Sequence, residues 1–477
     1  MYSPTLQYDA IIIGNDLSSL IAADLSMGRG FKTLILKDND IPVSYSQSGY
    51  TFNHYPLPFP CIGYDGFRIF TDFIQDLFPK EKDIFKPIDP GLQIILPKHR
   101  IDIYRDTNML IRDFEREFPG HSACIVNLHQ SLSKAGSAFL SLFLKNQNIQ
   151  FNYIKKSISF LKSMIIYFWY NARFLAQLRY FHKDEIVKIL EAIAFFSSGS
   201  HYRTGWYRLK TPFFISSPMR GFFYPLGGNH TIHSTILNRF LSQGGDISIA
   251  SRITSVDFEG DKYRIAWDVE SLEKKACSKF LLVSEKWNGL SLLHDTHFIN
   301  IARFLRRRFV GSVYPFTVHM GILEKGIPEK HAEYAILIPD SGRFKRQDAI
   351  FIEVSSPGDT KRAPEGKRAL TATIFLDEHP QSLSDDSLVA AASDIVQKIE
   401  QYMPFLSENI DFFDIEKCIA LSRLKGDIIG NKYGITFLNR RLFLSYFKNL
   451  HMTGNEILGQ SFIGEVISGI NAANNLK

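Results

Sequence analysis

The N-terminal stretch, residues 8–36, constrains the fold more than any other part of the chain. Residues 8–13 form a continuous apolar run, residues 17–27 have the apolar spacing of a helix, and residues 32–36 form a second apolar run. A short, uninterrupted apolar run is typical of a strand that is buried on both faces of a sheet. Two such runs joined by a helix predict a strand–helix–strand unit with parallel strands, which is the building block of an α/β fold.

The turn between the first strand and the helix contains Gly14, Asp16 and Ser19. In nucleotide-binding turns of this kind, three glycines let the backbone approach a pyrophosphate, which is then held at the helix N-terminus. Here only Gly14 keeps that pattern, because Asp16 and Ser19 stand at the second and third glycine positions. Two like unit charges about 4 Å apart repel by roughly 4 kcal/mol at an effective dielectric of about 20. We therefore expect Asp16 to oppose nucleotide binding by the usual route.

Asp16 has two interpretations. Asp is a favoured residue at a helix N-cap, because its oxygens accept hydrogen bonds from the free N–H groups of the first turn. In the favoured interpretation, the Asp16 carboxylate caps the helix and takes the place of the phosphate. In the alternative, Asp16 turns away and a nucleotide binds in an unusual pose.

Composition and charge narrow the classes of function. The 477 residues are enough for two or three domains, and the 45% hydrophobic content is that of a globular protein. The formal net charge of +6 is too small to indicate a nucleic-acid partner, but it is compatible with peripheral contact with an anionic membrane. The 40 phenylalanines indicate either a bulky core or a cavity for an apolar ligand, and the core is favoured.

Cysteine and histidine patterns indicate no metal site. The four cysteines are scattered and form no Cys-x-x-Cys pair, which fits a reducing compartment. His294 and His297 are close in sequence but have no accompanying carboxylate or cysteine pattern, so a surface loop is favoured. The N-terminus has no signal-peptide pattern, and no apolar run reaches about 18 residues. We expect a cytoplasmic protein that does not span a membrane, either free or peripheral to the inner membrane face.

A basic and aromatic run extends from Ile154 to Arg179. Lysines at 155, 156 and 162 and arginines at 173 and 179 alternate there with large apolar residues. Two interpretations are equally weighted: a helix at a bilayer interface, or a buried helix pair with lysines that reach the surface. A second basic cluster, Arg303 and Arg306–Arg308, is interpreted as a solvated helix end.

The remaining pattern predicts a hairpin, a helical region and a mostly antiparallel sheet. The hairpin is predicted over 92–96 and 101–104, and helices over 108–194, 231–241 and 385–403. Strands are predicted over 247–250, 253–258, 262–267, 280–283, 312–323, 334–338, 349–354 and 370–375, and a strand, glycine turn and helix over 450–477.

Four motifs in order along the chain resemble the phytoene desaturase and carotenoid isomerase group of FAD-dependent oxidoreductases. They are the opening strand and turn, the Tyr224–Gly228 turn, the Gly244–Ile247 entry to a strand, and the segment from Gly454 through Gly459–Gly469. The resemblance implies an α/β fold with a discontinuous FAD-type Rossmann domain, made of residues 1–90, 220–290 and 420–477. It also implies an inserted helical and antiparallel-sheet (α+β) substrate domain, made of residues 91–219 and 291–419.

The resemblance also marks the residues that would hold FAD. The family's acidic residue at the end of the second strand is replaced by Lys37, which donates hydrogen bonds but cannot accept them. A Pro-Gly-Gly-Arg segment of the family reads Pro42 to Tyr45 here, and the acidic residue after Gly454 is Asn455. The candidate cofactor-binding positions are Gly14, Asp16, Ser19, Lys37, Gly454, Asn455, Gly459 and Gly464. FAD is possible, but weak or absent binding is expected.

The leading hypothesis is a cytoplasmic, membrane-associated protein that handles a long apolar molecule, an isoprenoid or another lipid. If FAD binds, the family chemistry is hydride transfer that gives desaturation, saturation or isomerisation, and no catalytic residue is indicated. One alternative is a flavin-free lipid or prenyl-group binding protein, since Rab GDP-dissociation inhibitors use a related fold without redox chemistry. Another is an inactive partner of an active paralogue, in a homo-oligomer or hetero-oligomer.

Overall fold

The computed structural model describes residues 5–38, 43–54, 56, 59–60, 84–145, 154–178, 185–198, 207–270, 272–284, 292, 314–339, 349–424, 448–454 and 462–476. The chain forms two compact units, each assembled from separate stretches of sequence. The first comprises Met1–Val43, His230–Ser312 and Asp427–Lys477, and the second comprises Ser44–Asn229 and Val313–Gly426.

The strands, in chain order, are β1 (Leu6–Ile13), β2 (Thr33–Asp38), β3 (Ser44–Gln47), β4 (Tyr50–Asn53), β5 (Phe59–Pro60), β6 (Phe85–Ile88), β7 (Leu92–Ile95), β8 (Arg100–Ile103), β9 (Phe222–Pro225), β10 (Asp246–Ala250), β11 (Arg252–Glu259), β12 (Lys262–Val269), β13 (Leu272–Ser284), β14 (Tyr314–Leu323), β15 (Tyr334–Leu337), β16 (Ile350–Val354), β17 (Lys367–Leu376), β18 (Ile410–Phe413) and β19 (Leu450–Thr453). The α-helices are α1 (Leu17–Met27), α2 (Thr107–Glu117), α3 (Ser122–Lys145), α4 (Ile154–Leu178), α5 (Glu185–Ser198), α6 (Tyr207–Ser216), α7 (Gly228–Ser242), α8 (Asp385–Glu400), α9 (Ile415–Leu424) and α10 (Phe462–Asn474).

The first unit is built on one sheet with the strand order β10-β2-β1-β13-β12-β11, and β19 pairs with β13. Strands β10, β2, β1, β13 and β19 run parallel, whereas β12 and β11 add an antiparallel edge. The central strand β1 is entirely apolar at its buried end, where residues 10–13 have no solvent exposure. The sheet thus joins the beginning, middle and end of the chain, as expected for a discontinuous Rossmann-type domain.

Strand β13 differs from its prediction. Residues 280–283 were expected to form a short strand, but β13 begins at Leu272. Its first four residues are exposed, and three of them are charged. They pair antiparallel with β12, where Leu272 is opposite Val269. Because these four residues bury no face, the apolar pattern could not reveal this part of the strand.

Helices α1 and α10 pack very closely in the first unit. A Cβ atom added to Gly469 would lie 2.6 Å from the backbone oxygen of Ser18 and 2.8 Å from the Cβ of Ile21. Real side chains do not tolerate such distances, so only glycine permits this crossing. The C-terminal helix is thereby fixed against the first turn of α1.

The second unit contains a sheet with the order β18-β14-β17-β16-β15-β7-β8. Its pairs are antiparallel except β15 with β7, and the predicted hairpin is the antiparallel pair β7–β8. Helices α2–α6 provide the helical part. Phe195 and Phe196 of α5 contact Phe351 and Phe375 of the sheet, with ring centroids 4.9–5.6 Å apart. These phenylalanines are buried and pack against one another in the core.

The limits of the units differ from the predicted domain limits. Strands β3 and β4 lie in the second unit, whereas residues 1–90 were assigned to the first domain. Among the described residues, no helix has the length and apolar character needed to cross a bilayer.

Candidate functional site

The turn between β1 and α1 is the candidate nucleotide site. Strand β1 ends at Ile13, Gly14 has φ of +151°, and α1 begins at Leu17. A Cβ atom on Gly14 would lie 2.6 Å from both Ser19 Oγ and Ser284 Cβ. The first position of the glycine pattern therefore keeps glycine because the backbone is left-handed and crowded by two serines.

The Asp16 carboxylate caps helix α1. Asp16 has extended backbone angles, φ −75° and ψ 165°, and its Oδ1 accepts a hydrogen bond from the Ser19 N–H at 2.8 Å. The hydroxyls of Ser18 and Ser284 also donate to this carboxylate. The predicted helix cap is therefore observed, whereas the replacement of a phosphate by this carboxylate stays a prediction.

A second carboxylate reaches the same helix end. Glu465, in the first turn of α10, is only 6% exposed, and its Oε2 accepts the Ser18 N–H at 3.0 Å. Two consecutive N–H groups of the first turn of α1 are thus donated to carboxylates of the chain. The sequence analysis did not identify Glu465, although a lone acidic residue in the apolar helix 462–474 was a usable signal.

The third glycine position also has an internal contact. The Oγ atoms of Ser19 and Thr453 lie 2.8 Å apart, which ties α1 to the end of β19. The next residue, Gly454, has φ of +129°, and its N–H donates to Ser468 Oγ at 3.0 Å. The structure therefore brings together Gly14, Asp16, Ser19 and Gly454.

The other candidate positions are more dispersed. Lys37 is partly buried near the end of β2, in register with Ile249 of β10. Gly464 is buried in the first turn of α10, and Tyr45 lies on β3 in the second unit. Positions that fall outside the described residues are Pro42, Asn455, Gly459, His294, His297, Arg303 and Arg306–Arg308.

The Tyr224–Gly228 turn is held by buried polar groups of the second unit. Asp359 Oδ2 accepts the Tyr224 hydroxyl at 2.8 Å and the Gly227 N–H at 2.9 Å. A Cβ atom on Gly228 would lie 2.8 Å from Asn53 Oδ1, so this position also requires glycine. The second motif of the resemblance is therefore a tightly supported turn.

Arg362 and Glu353 form a fully buried ion pair beside this turn, with 0% and 1% side-chain exposure. Asn53 donates to Glu353 Oε1 at 2.7 Å, and the Arg362 Nε donates to the Thr51 carbonyl at 2.9 Å. Burial raises the pKa of Tyr224 well above its usual range, so its phenol stays neutral and acts as a donor. Sequence reasoning missed this network because residues 51–53, Tyr224 and residues 353–362 are far apart in the chain.

Cys418 is a poor candidate for a nucleophile. Burial raises the pKa of its thiol to about 12, and the nearby Asp414 acts in the same direction. The reactive form of cysteine is the thiolate, which is scarce at neutral pH when the pKa is this high. In the described part of the chain, no three His, Cys, Asp or Glu residues are grouped so as to hold a metal ion.

Comparison with known proteins connects this geometry to one superfamily. No family model matches the chain. The chain is 23% identical over 433 residues to the chloroplastic prolycopene isomerase of Daucus carota, which covers 85% of this chain and 68% of the isomerase. Its fold is similar to that of a redesigned putrescine oxidase, with a TM-score of 0.64, 10% identity and 99% of both chains covered.

The weak homology to prolycopene isomerase and the similarity of fold together support a place in the carotenoid isomerase and desaturase-like superfamily of FAD-dependent oxidoreductases. The predicted resemblance and α/β fold class are confirmed. The fold is also similar to that of a Rab GDI from Plasmodium falciparum, with a TM-score of 0.52, 11% identity, and 99% and 98% of the two chains covered. FAD is a plausible cofactor for a member of this superfamily.

Proposed function

We propose that this carotenoid isomerase-like protein binds a long apolar molecule, such as an isoprenoid, and that its own carboxylates replace the pyrophosphate of FAD. The single observation that carries the proposal is the double capping of α1 by Asp16 and Glu465. The apolar substrate class is supported by the similarity to prolycopene isomerase.

The capped helix leaves little for an anion to gain. A helix N-terminus attracts a phosphate through its free N–H groups and through the positive end of the helix dipole. The Ser18 and Ser19 N–H groups already donate to carboxylates, which also neutralise the dipole. A pyrophosphate would have to displace both groups, and each of them repels it by roughly 4 kcal/mol at about 4 Å.

Other positions support the same conclusion. The ribose-binding position is occupied by Lys37, which offers no acceptor for the ribose hydroxyls. Ser19, at the third glycine position, is fully buried and engaged with Thr453. These residues do not fit an FAD nucleotide, so we derive no redox step through the flavin.

A second candidate function follows from the same observation. A chain that keeps the fold without the flavin can act as a carrier of a lipid or a prenyl group, or as the inactive partner of an active paralogue. In either case the apolar ligand would bind without being oxidised or reduced.

The first experiment is an absorption spectrum of the purified full-length protein. We expect little or no flavin band and a substoichiometric release of FAD on denaturation. Stoichiometric FAD would contradict the proposal and would make a conventional flavoenzyme the better description.

The second experiment restores the missing contacts. The triple variant Asp16→Gly, Ser19→Gly and Glu465→Gln removes both carboxylates and the third-position side chain, so FAD affinity should rise at least tenfold by fluorescence titration. The matched control is Asp106→Gly, since Asp106 caps α2 by accepting the Asn108 and Met109 N–H groups. No gain in the triple variant, or an equal gain in the control, would show that the carboxylates are not the obstacle.

A further inference from the structure

Helix α4 presents an apolar face to solvent. Ile165, Trp169 and Leu161 are 62%, 61% and 58% exposed, and Phe168 and Leu175 are also exposed. These positions recur at intervals of three and four residues, so they lie on one side of the helix. Five large apolar side chains on one exposed stripe are unusual for a protein surface, where such residues normally occur singly.

The opposite side of α4 packs into the second unit. Tyr167, Asn171 and Phe174 are buried, with the Asn171 amide donating to the Tyr167 hydroxyl at 3.3 Å. Helix α4 is therefore held in place by its own core face. The exposed stripe is a second apolar face rather than the result of a poorly packed helix.

Basic residues follow one edge of the exposed stripe. Lys162 and Arg173 are separated by three helical turns, which places them along the same edge. Lys162 and Arg173 are exposed, and on the neighbouring helix α3 the Lys134 Nζ lies 5.9 Å from the ring centroid of Tyr170. Apolar residues flanked by cations are the pattern of a helix that lies in a bilayer interface.

The charge of the whole region has the same sign. Residues 118–183 contain eight Lys and Arg and no Asp or Glu, although the chain has 49 acidic residues among 477. The segment thus carries +8, and the other residues carry 47 basic against 49 acidic groups, or −2, which together give the net +6. The positive charge of the protein is therefore concentrated in the stretch of sequence that contains α4, and positive charge is complementary to anionic lipid.

We propose that the exposed face of α4 binds the surface of an anionic membrane. Leu161, Ile165, Phe168, Trp169 and Leu175 enter the interface between headgroups and acyl chains, and Lys162 and Arg173 contact the lipid phosphates. A second copy of the chain is the competing occupant of this face. The absence of carboxylates over residues 118–183 favours the membrane, because two copies would bring like charges together.

The experiment is vesicle flotation of the full-length protein. Vesicles contain either phosphatidylcholine alone or equal parts phosphatidylcholine and phosphatidylserine. We expect strong binding only to the anionic vesicles, weakened by salt because surface attraction is screened. Emission from Trp169 should be quenched by brominated acyl chains, and this quenching should be lost in Trp169→Phe.

Two sets of variants separate the apolar face from the basic edge. Ile165→Glu with Trp169→Glu should lower vesicle partitioning at least tenfold, whereas Leu272→Glu, a 70% exposed position on β13, should not. Lys162→Gln and Arg173→Gln together should lower partitioning about fivefold for each charge removed. The control with the same net charge is Arg252→Gln with Lys262→Gln, at exposed positions of the first unit.

Circular dichroism melting establishes that each variant remains folded, and light scattering gives the molar mass without vesicles. The proposal is overturned if the wild type does not float with anionic vesicles. It is also overturned if the double glutamate variant floats as well as the wild type. A wild-type dimer that becomes monomeric in the double glutamate variant, with no vesicle binding, assigns the face to a second copy.

Discussion

Carboxylates at the start of α1 and beside the Tyr224 turn have opposite kinds of partner. At the start of α1, Asp16 and Glu465 accept hydrogen bonds from backbone N–H groups, which carry only partial charges. Beside the Tyr224 turn, Glu353 neutralises the full charge of the buried Arg362. Removing a carboxylate from α1 frees donors that another anion can use, whereas removing Glu353 strands a buried cation. Under the proposed function, the first region is a filled binding site, whereas the second is a structural support.

The largest effect is expected at Glu353. Glu353→Gln leaves the Arg362 guanidinium buried without its counter-ion, which costs about 3–5 kcal/mol of the free energy of unfolding. Urea unfolding followed by circular dichroism measures this loss. The double variant Glu353→Leu with Arg362→Met should recover most of it, since a buried ion pair can be replaced by apolar residues of similar volume. A loss below about 1 kcal/mol in the single variant would contradict the comparison.

The next largest effect is the loss of stability at low pH that we expect when the buried imidazole of His331 gains a proton. Burial lowers the pKa of His331 from 6.5 to about 4, and Arg100 and Arg368 act in the same direction. The unfolded state therefore binds the proton first, so stability is lost as the pH falls from 6.5 towards 4. At 1.36 kcal/mol per unit, the loss is about 3 kcal/mol. His331→Gln should flatten this part of the stability–pH curve, and an unchanged curve would exclude His331 as its cause.

A smaller loss of stability is expected when Asp16 is replaced. The same change should give a gain in anion binding, which replacement of Asp106 in the second unit should not give. Asp16→Ala should cost about 1 kcal/mol, the usual cost of losing an N-cap. Inorganic pyrophosphate should then raise the melting temperature of the variant but not that of the wild type. Asp106→Ala should cost a similar amount, and pyrophosphate should leave its melting temperature unchanged. Equal responses of the two variants would show that the α1 N-terminus is not a filled anion site.

The smallest effect is expected at Glu465. Glu465→Gln keeps an oxygen that can accept the Ser18 N–H and removes only the charge, which is worth about 0.3–1 kcal/mol at a helix N-terminus. Thermal unfolding at low and high salt measures it, and the difference from the wild type should shrink as salt increases. A loss as large as that of Glu353→Gln would mean that Glu465 compensates a full charge.

Local sequence patterns predicted the parts of the fold that depend on neighbouring residues. The bounds of α1 follow from its apolar spacing and its Asp16 cap, and the β7–β8 hairpin follows from alternation around a turn. The contacts of Glu465 with Ser18 and of Tyr224 with Asp359 span 447 and 135 residues, so no local pattern contains them. Even so, Glu353 in β16 and Glu465 in α10 are each a lone acidic residue in an apolar element. Such a residue needs a buried partner, which is the signal that sequence reasoning can use.

The assembly of the first unit has a consequence for its synthesis. Strand β1 pairs with β2 on one side and with β13 on the other, where Leu6 is opposite Ala276, and α10 crosses α1 at Gly469. Domains commonly fold on the ribosome from the N-terminus onwards. Here β1 must wait for β13 and α10, which are made much later than β1 itself, so its apolar edge stays open during elongation. We therefore expect a nascent chain of this kind to need chaperones for longer than a chain in which this domain is continuous.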